Sequence, residues 1–213
     1  MPLSMYVDAP RWRAHLQRVR DAQPGIVPVL KGNGYGFGVR RLAEEASRLG
    51  VDTVAVGMYD EVAAVATAAG GPFPGSVMVL TPWRPFERDA RLDPQVIHTV
   101  GRLEDLRALG DLAATGAATG AATGAATGGH RPRVVLERLT SMRRHGFSAR
   151  GLREAATHLG AVIVEGVAVH LPISKGSHLT EVNRLMTDVV AAGLPTTRVY
   201  VSHLTDTELG TLR

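Results

Sequence analysis

The residues best placed to do chemistry lie in Lys31-Gly32-Asn33-Gly34-Tyr35-Gly36-Phe37-Gly38, directly after the apolar run Ile26-Val27-Pro28-Val29-Leu30. A lysine at the C-terminal end of a buried parallel strand sits on the face where such folds place their reactive groups. An apolar strand beside it is expected to desolvate it in part, which favours the neutral, nucleophilic amine. The alternating glycines permit positive φ and close approach of backbone to a ligand. Tyr35 adds a hydroxyl that can reach a phosphate. The spacing lacks the G-x-x-x-x-G-K-[ST] pattern of a P-loop. A lysine at the strand end and an aromatic inside the loop also fit a dinucleotide fingerprint poorly.

Two more segments and one residue pair extend the pattern. Thr140-Ser141-Met142-Arg143-Arg144-His145-Gly146-Phe147 follows the run Arg133-Val134-Val135-Leu136, and Glu165-Gly166-Val167-Ala168-Val169-His170 ends on a histidine. Ser202 and His203 follow the next apolar run.

Lys31-x-Asn33-x-Tyr35-Gly36-x-Gly38 after a Val-rich strand resembles the pyridoxal-phosphate lysine motif of the alanine racemase family. Thr140 to Phe147 resembles that family's Thr-Gly-Met-x-Arg-x-Gly-Phe segment, with Ser141 in place of the glycine. Leu139 stands where an aspartate is common, and Glu137 where many racemases carry a lysine. Glu165 to His170 is similar to the family's sixth strand. The resemblance implies pyridoxal 5'-phosphate held as a Schiff base on Lys31, which is also the catalytic base. It implies Tyr35 on the cofactor phosphate, Arg144 on its phenolic oxygen and His170 against its ring. Ser202 and His203 fall where the family has an Asn-Ser pair at the phosphate, and which of them takes that role stays open. The implied reaction is amino-acid racemisation, with L-alanine to D-alanine as the default. A non-catalytic pyridoxal-phosphate homeostasis protein and an inactive racemase fragment are the alternatives.

The elements that must carry these residues alternate along the chain. Apolar runs at 26–30, 53–56, 76–80, 96–100, 133–136, 164–170 and 198–202 read as strands, and continuous apolar runs of this kind are usually buried on both faces of a parallel sheet. Helical patterns follow at 39–49, 60–69, 103–109, 149–159, 181–192 and from 207, with a further helix entered at Asp8. Strands separated by helices argue for βαβ units. The fold expected is α/β, an incomplete (β/α) TIM-type barrel with about seven of eight βα units. An open doubly wound sheet is the alternative. A single domain over 1–213 is expected, with the second, β-rich domain of a full racemase absent and the chain a truncated piece. The tandem Ala-Ala-Thr-Gly repeat over 113–128 reads as a flexible loop.

Composition bounds the function classes. With no cysteine, thiolate ligands, thiol nucleophiles and disulfides are excluded. The remaining histidines show no metal-ligand spacing. The net charge of +4 comes from arginines spread along the chain, not from the stripe or tail of a nucleic-acid binder. No apolar stretch approaches membrane-spanning length and no secretory leader is evident, so a cytoplasmic location is expected. The partners expected are a small amino-acid substrate and, in a full-length parent, a second copy of the chain. Neither nucleic acid nor membrane is expected.

Overall fold

The segment at 26–30 ends where its backbone amides leave the ladder. The computed structural model describes residues 6–67, 71–87, 92–119, 130–173, 176–196 and 198–212. They divide into two compact units, 1–80 and 81–213.

The first unit opens on α1 (Ala9–Ala22), capped by the Asp8 carboxylate, which accepts the Arg11 N–H at 3.0 Å. α2 (Val39–Leu49) follows, then β1 (Thr53–Val56), α3 (Asp60–Ala66) and β2 (Ser76–Val79). β1 and β2 pair in parallel, Thr53 beside Ser76 through Val56 beside Val79. Val54, Val56, Val65 and Val79 are fully buried, each worth about 1.5–3 kcal/mol of transfer free energy. α1 is tied to α2 by a fork of hydrogen bonds, Arg13 Nε and Nη2 to the buried Glu45 carboxylate at 2.8 and 2.7 Å. Donation by Arg13, reinforced by Arg48 and Arg41, holds the Glu45 carboxyl below its usual range.

The second unit carries β3 (Val96–Val100), α4 (Leu103–Thr119), β4 (Arg133–Arg138), α5 (Ala149–Ala156), β5 (Ile163–Val169), α6 (Leu179–Ala191), β6 (Val199–Val201) and α7 (Asp206–Thr211). Its strands pair in chain order, all parallel. The β4–β5 register slips by one residue at Glu165, a bulge that puts Val135 beside Gly166. β3, with His98 and Thr99 among its apolar residues, and the apolar centre of β4 are buried throughout, whereas β6 is only half-buried.

The strand reading needs one correction. Residues 26–30 make a single parallel bridge, Val29 to Ala55, and no strand, so six strands are present among the described residues. The bridge consists of Leu30 N–H to Ala55 O at 2.7 Å and Ala55 N–H to Pro28 O at 2.8 Å. One rung earlier the donor would be the N–H of residue 28, which proline lacks. One rung later the donors would be Gly57 and Gly32, and both give their N–H to the Glu61 carboxylate instead.

The repeat segment is corrected as well. α4 does not stop at 109 but continues through Thr119, so 113–119 is helix and not loop. Alanine is the strongest helix former, one glycine per four residues costs only about 1 kcal/mol, and the Thr115 hydroxyl bonds back to Asp111 O at 2.9 Å. The rest of the repeat lies outside the described residues.

β3 buries a histidine. His98 is fully enclosed, and desolvation pushes its pKa from 6.5 down to about 4. The unfolded chain therefore takes up a proton at this residue that the folded chain resists. Its contribution is complete above about pH 6.5 and is lost as the pH falls towards about 4. Denaturant midpoints of the wild-type chain should fall across that window, and His98→Leu should flatten the slope. Parallel curves for the two proteins would refute this.

Candidate functional site

In the first unit, Lys31 ends the bridged segment and a tight loop follows at once. Gly34 N–H returns to Lys31 O at 3.3 Å, and the Gly36 and Gly38 amides both reach Asn33 O at 2.9 Å. This winds residues Gly34–Gly36 into one 3-10 turn with Tyr35 at φ 55°. Gly34 suits its position: its φ is +52°, which L side chains rarely adopt, and a Cβ there would lie 2.2 Å from Leu42 Cδ1 of α2, whose side chain would have to move. The ring of Phe37 stacks on Trp12 of α1 at 5.3 Å, anchoring the far side of the loop. The Tyr35 side chain is fully exposed. Lys31 is exposed too, so the partial desolvation expected from its flanking segment is not met. The physical reason is the single bridge: with no continuing ladder, the lysine stands beyond the strand end and not within it.

Glu61 is a residue that sequence reasoning missed. Its Oε1 accepts the Gly32 N–H, and its Oε2 accepts the Gly57 N–H at 2.6 Å and the Met58 N–H at 3.1 Å. The available signal was an acidic residue in the first turn of a helix, four positions after a strand-end glycine.

In the second unit the loops after β4, β5 and β6 interlock. The Thr140 hydroxyl donates to His170 O at 2.7 Å. Ser202 Oγ lies 2.9 Å from His170 Nδ1 and accepts the Leu171 N–H at 3.3 Å. His203 meets the His170 ring edge-on at 5.2 Å. His170, Ser202 and His203 are thus brought together, and the Ser202 hydroxyl is engaged by its histidine neighbour. Arg144 stands half-exposed on the β4–α5 loop, its Nη2 3.7 Å from Oε1 of the buried Glu137. His145 Nδ1 lies 2.7 Å from the other oxygen of Glu137. Glu137 therefore supplies a carboxylate directly to Arg144.

The β4–α5 loop is braced by residues the sequence did not single out. Arg138 Nη1 donates to Leu139 O at 2.6 Å and Phe147 O at 3.0 Å, while Nη2 reaches Asp188 of α6 at 2.7 Å. Glu181 of α6 takes both the backbone N–H and the hydroxyl of Ser141, at 2.6 and 2.7 Å. Only three described non-glycine residues have positive φ: Tyr35, Arg143 and His203. Each lies in a loop that carries a candidate residue, and such strain, about 1–3 kcal/mol apiece, clusters at functional sites. Among the described residues no group of three or more His, Asp or Glu side chains is set to hold a metal ion, and no helix is long and apolar enough to cross a membrane.

Comparison with known proteins places the chain in a family. The family described as "Alanine racemase, N-terminal domain" matches residues 7–207. An alanine racemase of Desulfovibrio desulfuricans is 33% identical over 84 residues, which is 38% of this chain and 22% of that protein. Among solved structures, the alanine racemase of Clostridium difficile 630 superposes with a TM-score of 0.71 at 17% identity, covering 96% of this chain and 52% of that one. The alanine racemase of Bartonella henselae, solved with covalently bound pyridoxal phosphate, gives 0.67 at 16% identity over 89% of this chain and 52% of that one. A histidine racemase from Leuconostoc mesenteroides gives 0.66 at 19% identity, covering 89% and 50%. At these identities the structural likeness establishes the fold. The chain spans about half the length of these solved proteins.

The β6–α7 loop that carries Ser202 and His203 is fixed by Glu208. Its carboxylate accepts the Thr205 N–H at 2.9 Å, closing a capping box on α7, and also takes the His178 N–H ahead of α6. These bonds, Thr205's first and His178's second, hold its pKa down to about 2. A carboxylate depressed in the folded state stabilises above its ordinary range, near 4.5, and that contribution is lost as the pH falls towards about 2. Glu208→Gln should remove this acid-side slope and speed hydrogen exchange at the His178 and Thr205 amides at neutral pH. Unchanged exchange at both would show that the carboxylate does not hold the loop.

Proposed function

The chain belongs to the alanine racemase N-terminal domain family, and from that premise we propose that it is the pyridoxal-phosphate-binding part of an amino-acid racemase, with Lys31 as the residue that takes the cofactor. The observation that carries the reading is the Lys31 loop: a primary amine open to solvent at the end of a parallel-bridged segment, followed by a turn with Tyr35 in the left-handed region. The proposal keeps the architecture expected from the sequence, an incomplete (β/α) barrel read as one racemase-like domain over 1–213.

The donor set fits the cofactor. An exposed lysine suits its aldehyde, hydroxyl donors suit its phosphate, and an arginine beside a buried carboxylate suits its phenolate. Lys31 would hold the cofactor covalently. Tyr35, with Ser202 or His203, would hold the phosphate, Arg144 the phenolic oxygen, and His170 the ring. The Ser202 hydroxyl meets His170 Nδ1 and accepts the Leu171 N–H, so Ser202 orients the imidazole, and either Ser202 or His203 would reach the phosphate. Bound pyridoxal phosphate supplies an electron sink for the substrate α-carbon. Lys31 Nζ would be the base that takes the proton from that carbon. Returning a proton on the opposite face needs a second group. Alanine is the default substrate. The likeness to a histidine racemase keeps the side-chain preference a separate question.

Pyridoxal phosphate added to the chain should give an absorbance band that borohydride fixes as a covalent adduct on Lys31, read by peptide mass. Lys31→Ala should abolish both. A wild-type chain that gives neither would end this reading.

A further inference from the structure

Glu61 touches the lysine loop in a way the proposed chemistry does not use. Its two carboxylate oxygens collect three backbone amides: Gly32, the residue after Lys31, on Oε1, and Gly57 and Met58, which open the next loop, on Oε2. Gly32 and Gly57 are the pair whose amides would form the next rung between the Lys31 segment and β1. Gly57 belongs to the same arrangement. A Cβ on it would sit 3.1 Å from both Lys31 Cβ and Glu61 Oε2, so the bare glycine lets the lysine stem and the carboxylate close over one spot.

We propose that Glu61 is the positioning residue for Lys31: its carboxylate replaces a rung of the ladder and fixes the Lys31-Gly32 peptide, and thereby the direction in which the lysine stem leaves the backbone. A backbone rung would have carried the segment on as strand and turned the following residues alternately to the two faces. The carboxylate ends the strand at the lysine and leaves the glycine loop to turn at once. Hydrogen bonds to an ionised acceptor are about twice as strong as neutral ones, so the one Gly32 bond, made to a carboxylate itself anchored by Gly57 and Met58, can hold a peptide that has no ladder beyond it. All the groups involved lie within the first unit. The proposal rests on the cofactor role given to Lys31 above.

The test compares wild-type chain with Glu61→Ala, Glu61→Gln and Lys31→Ala, and it has two readouts. The first needs no cofactor: amide hydrogen exchange at Gly32 and Gly57, with the β1 amides as internal control. Glu61→Ala should speed both glycines about tenfold or more and leave Val54 and Val56 protected. Glu61→Gln, with one acceptor oxygen for two sites, should fall between. The second is the rate of borohydride-trapped labelling of Lys31 by pyridoxal phosphate, expected to drop about tenfold in Glu61→Ala and less in Glu61→Gln. If Glu61→Ala does not fold, Glu61→Gln carries the same comparison. Exchange at Gly32 unchanged in the variants, or faster exchange with labelling as fast as wild type, overturns the proposal. A wild-type chain labelled no better than Lys31→Ala overturns the cofactor reading, and with it the positioning role, while the exchange data alone still decide whether the carboxylate holds the peptide.

Discussion

Backbone amides that leave a parallel ladder need new acceptors, and at several places after the strands of this chain side chains take them. Glu61 receives the amides of Gly32 and Gly57, Glu181 that of Ser141, Ser202 that of Leu171, and Glu208 those of His178 and Thr205. An unpaired buried amide costs about 1–3 kcal/mol, a penalty that applies at the buried Leu171 and His178, whereas at the exposed Gly32 and Ser141 the carboxylate chiefly fixes the direction of the peptide. Every candidate residue lies within a few positions of one of these captured amides. The scaffold that ends the strands is therefore the scaffold that aims the chemistry.

The second unit repeats this logic with greater density. Thr140, His170 and Ser202 come from the ends of three successive strands and are joined by hydrogen bonds of 2.7 to 2.9 Å. Arg138 closes its own loop by binding two carbonyls and a helix carboxylate, and it is buried in doing so. Removing one partner from such a buried pair is far costlier than the pair's own net worth, because a charge is left without a counterpart. That is a reason for the loop to hold a single shape, with Arg143 in the left-handed region and Arg144 lying against Glu137. Glu137, which departs from the usual family pattern, thus has a role visible in the geometry: it presents an anion directly to the arginine expected at the cofactor.

Much of this was legible in the residue order. The Val-rich runs at Thr53–Val56 and Val96–Val100 became largely buried strands with those same bounds, and the pattern at Val39–Leu49 became a helix with its expected ends. Burial on both faces leaves no polar alternation, and this is why such runs can be read. The run at 26–30 misled for the opposite reason. Its hydrophobicity is that of a strand, but strand pairing also needs donors and acceptors in register, and Pro28 and Glu61 remove the rungs on either side of Val29. The Ala-Ala-Thr-Gly repeat misled because low complexity suggests a loop while alanine content favours helix, and as far as Thr119 the local propensity won.

Sequence alone determined which groups are available and in what order they are presented: an amine, a glycine-rich turn, an arginine segment, a histidine and a serine–histidine pair, each after an apolar run. Those features are local, since a strand delivers its next residue to its C-terminal end whatever lies beside it. Tertiary structure alone decided which of them touch, that Lys31 stands in solvent, that Ser202 faces His170, and that Glu61 ends the first segment. These depend on contacts between residues 29 to 32 positions apart, as from Gly32 to Glu61 or from His170 to Ser202. No spacing rule reaches so far, because the distance along the chain is absorbed by a whole intervening strand and helix.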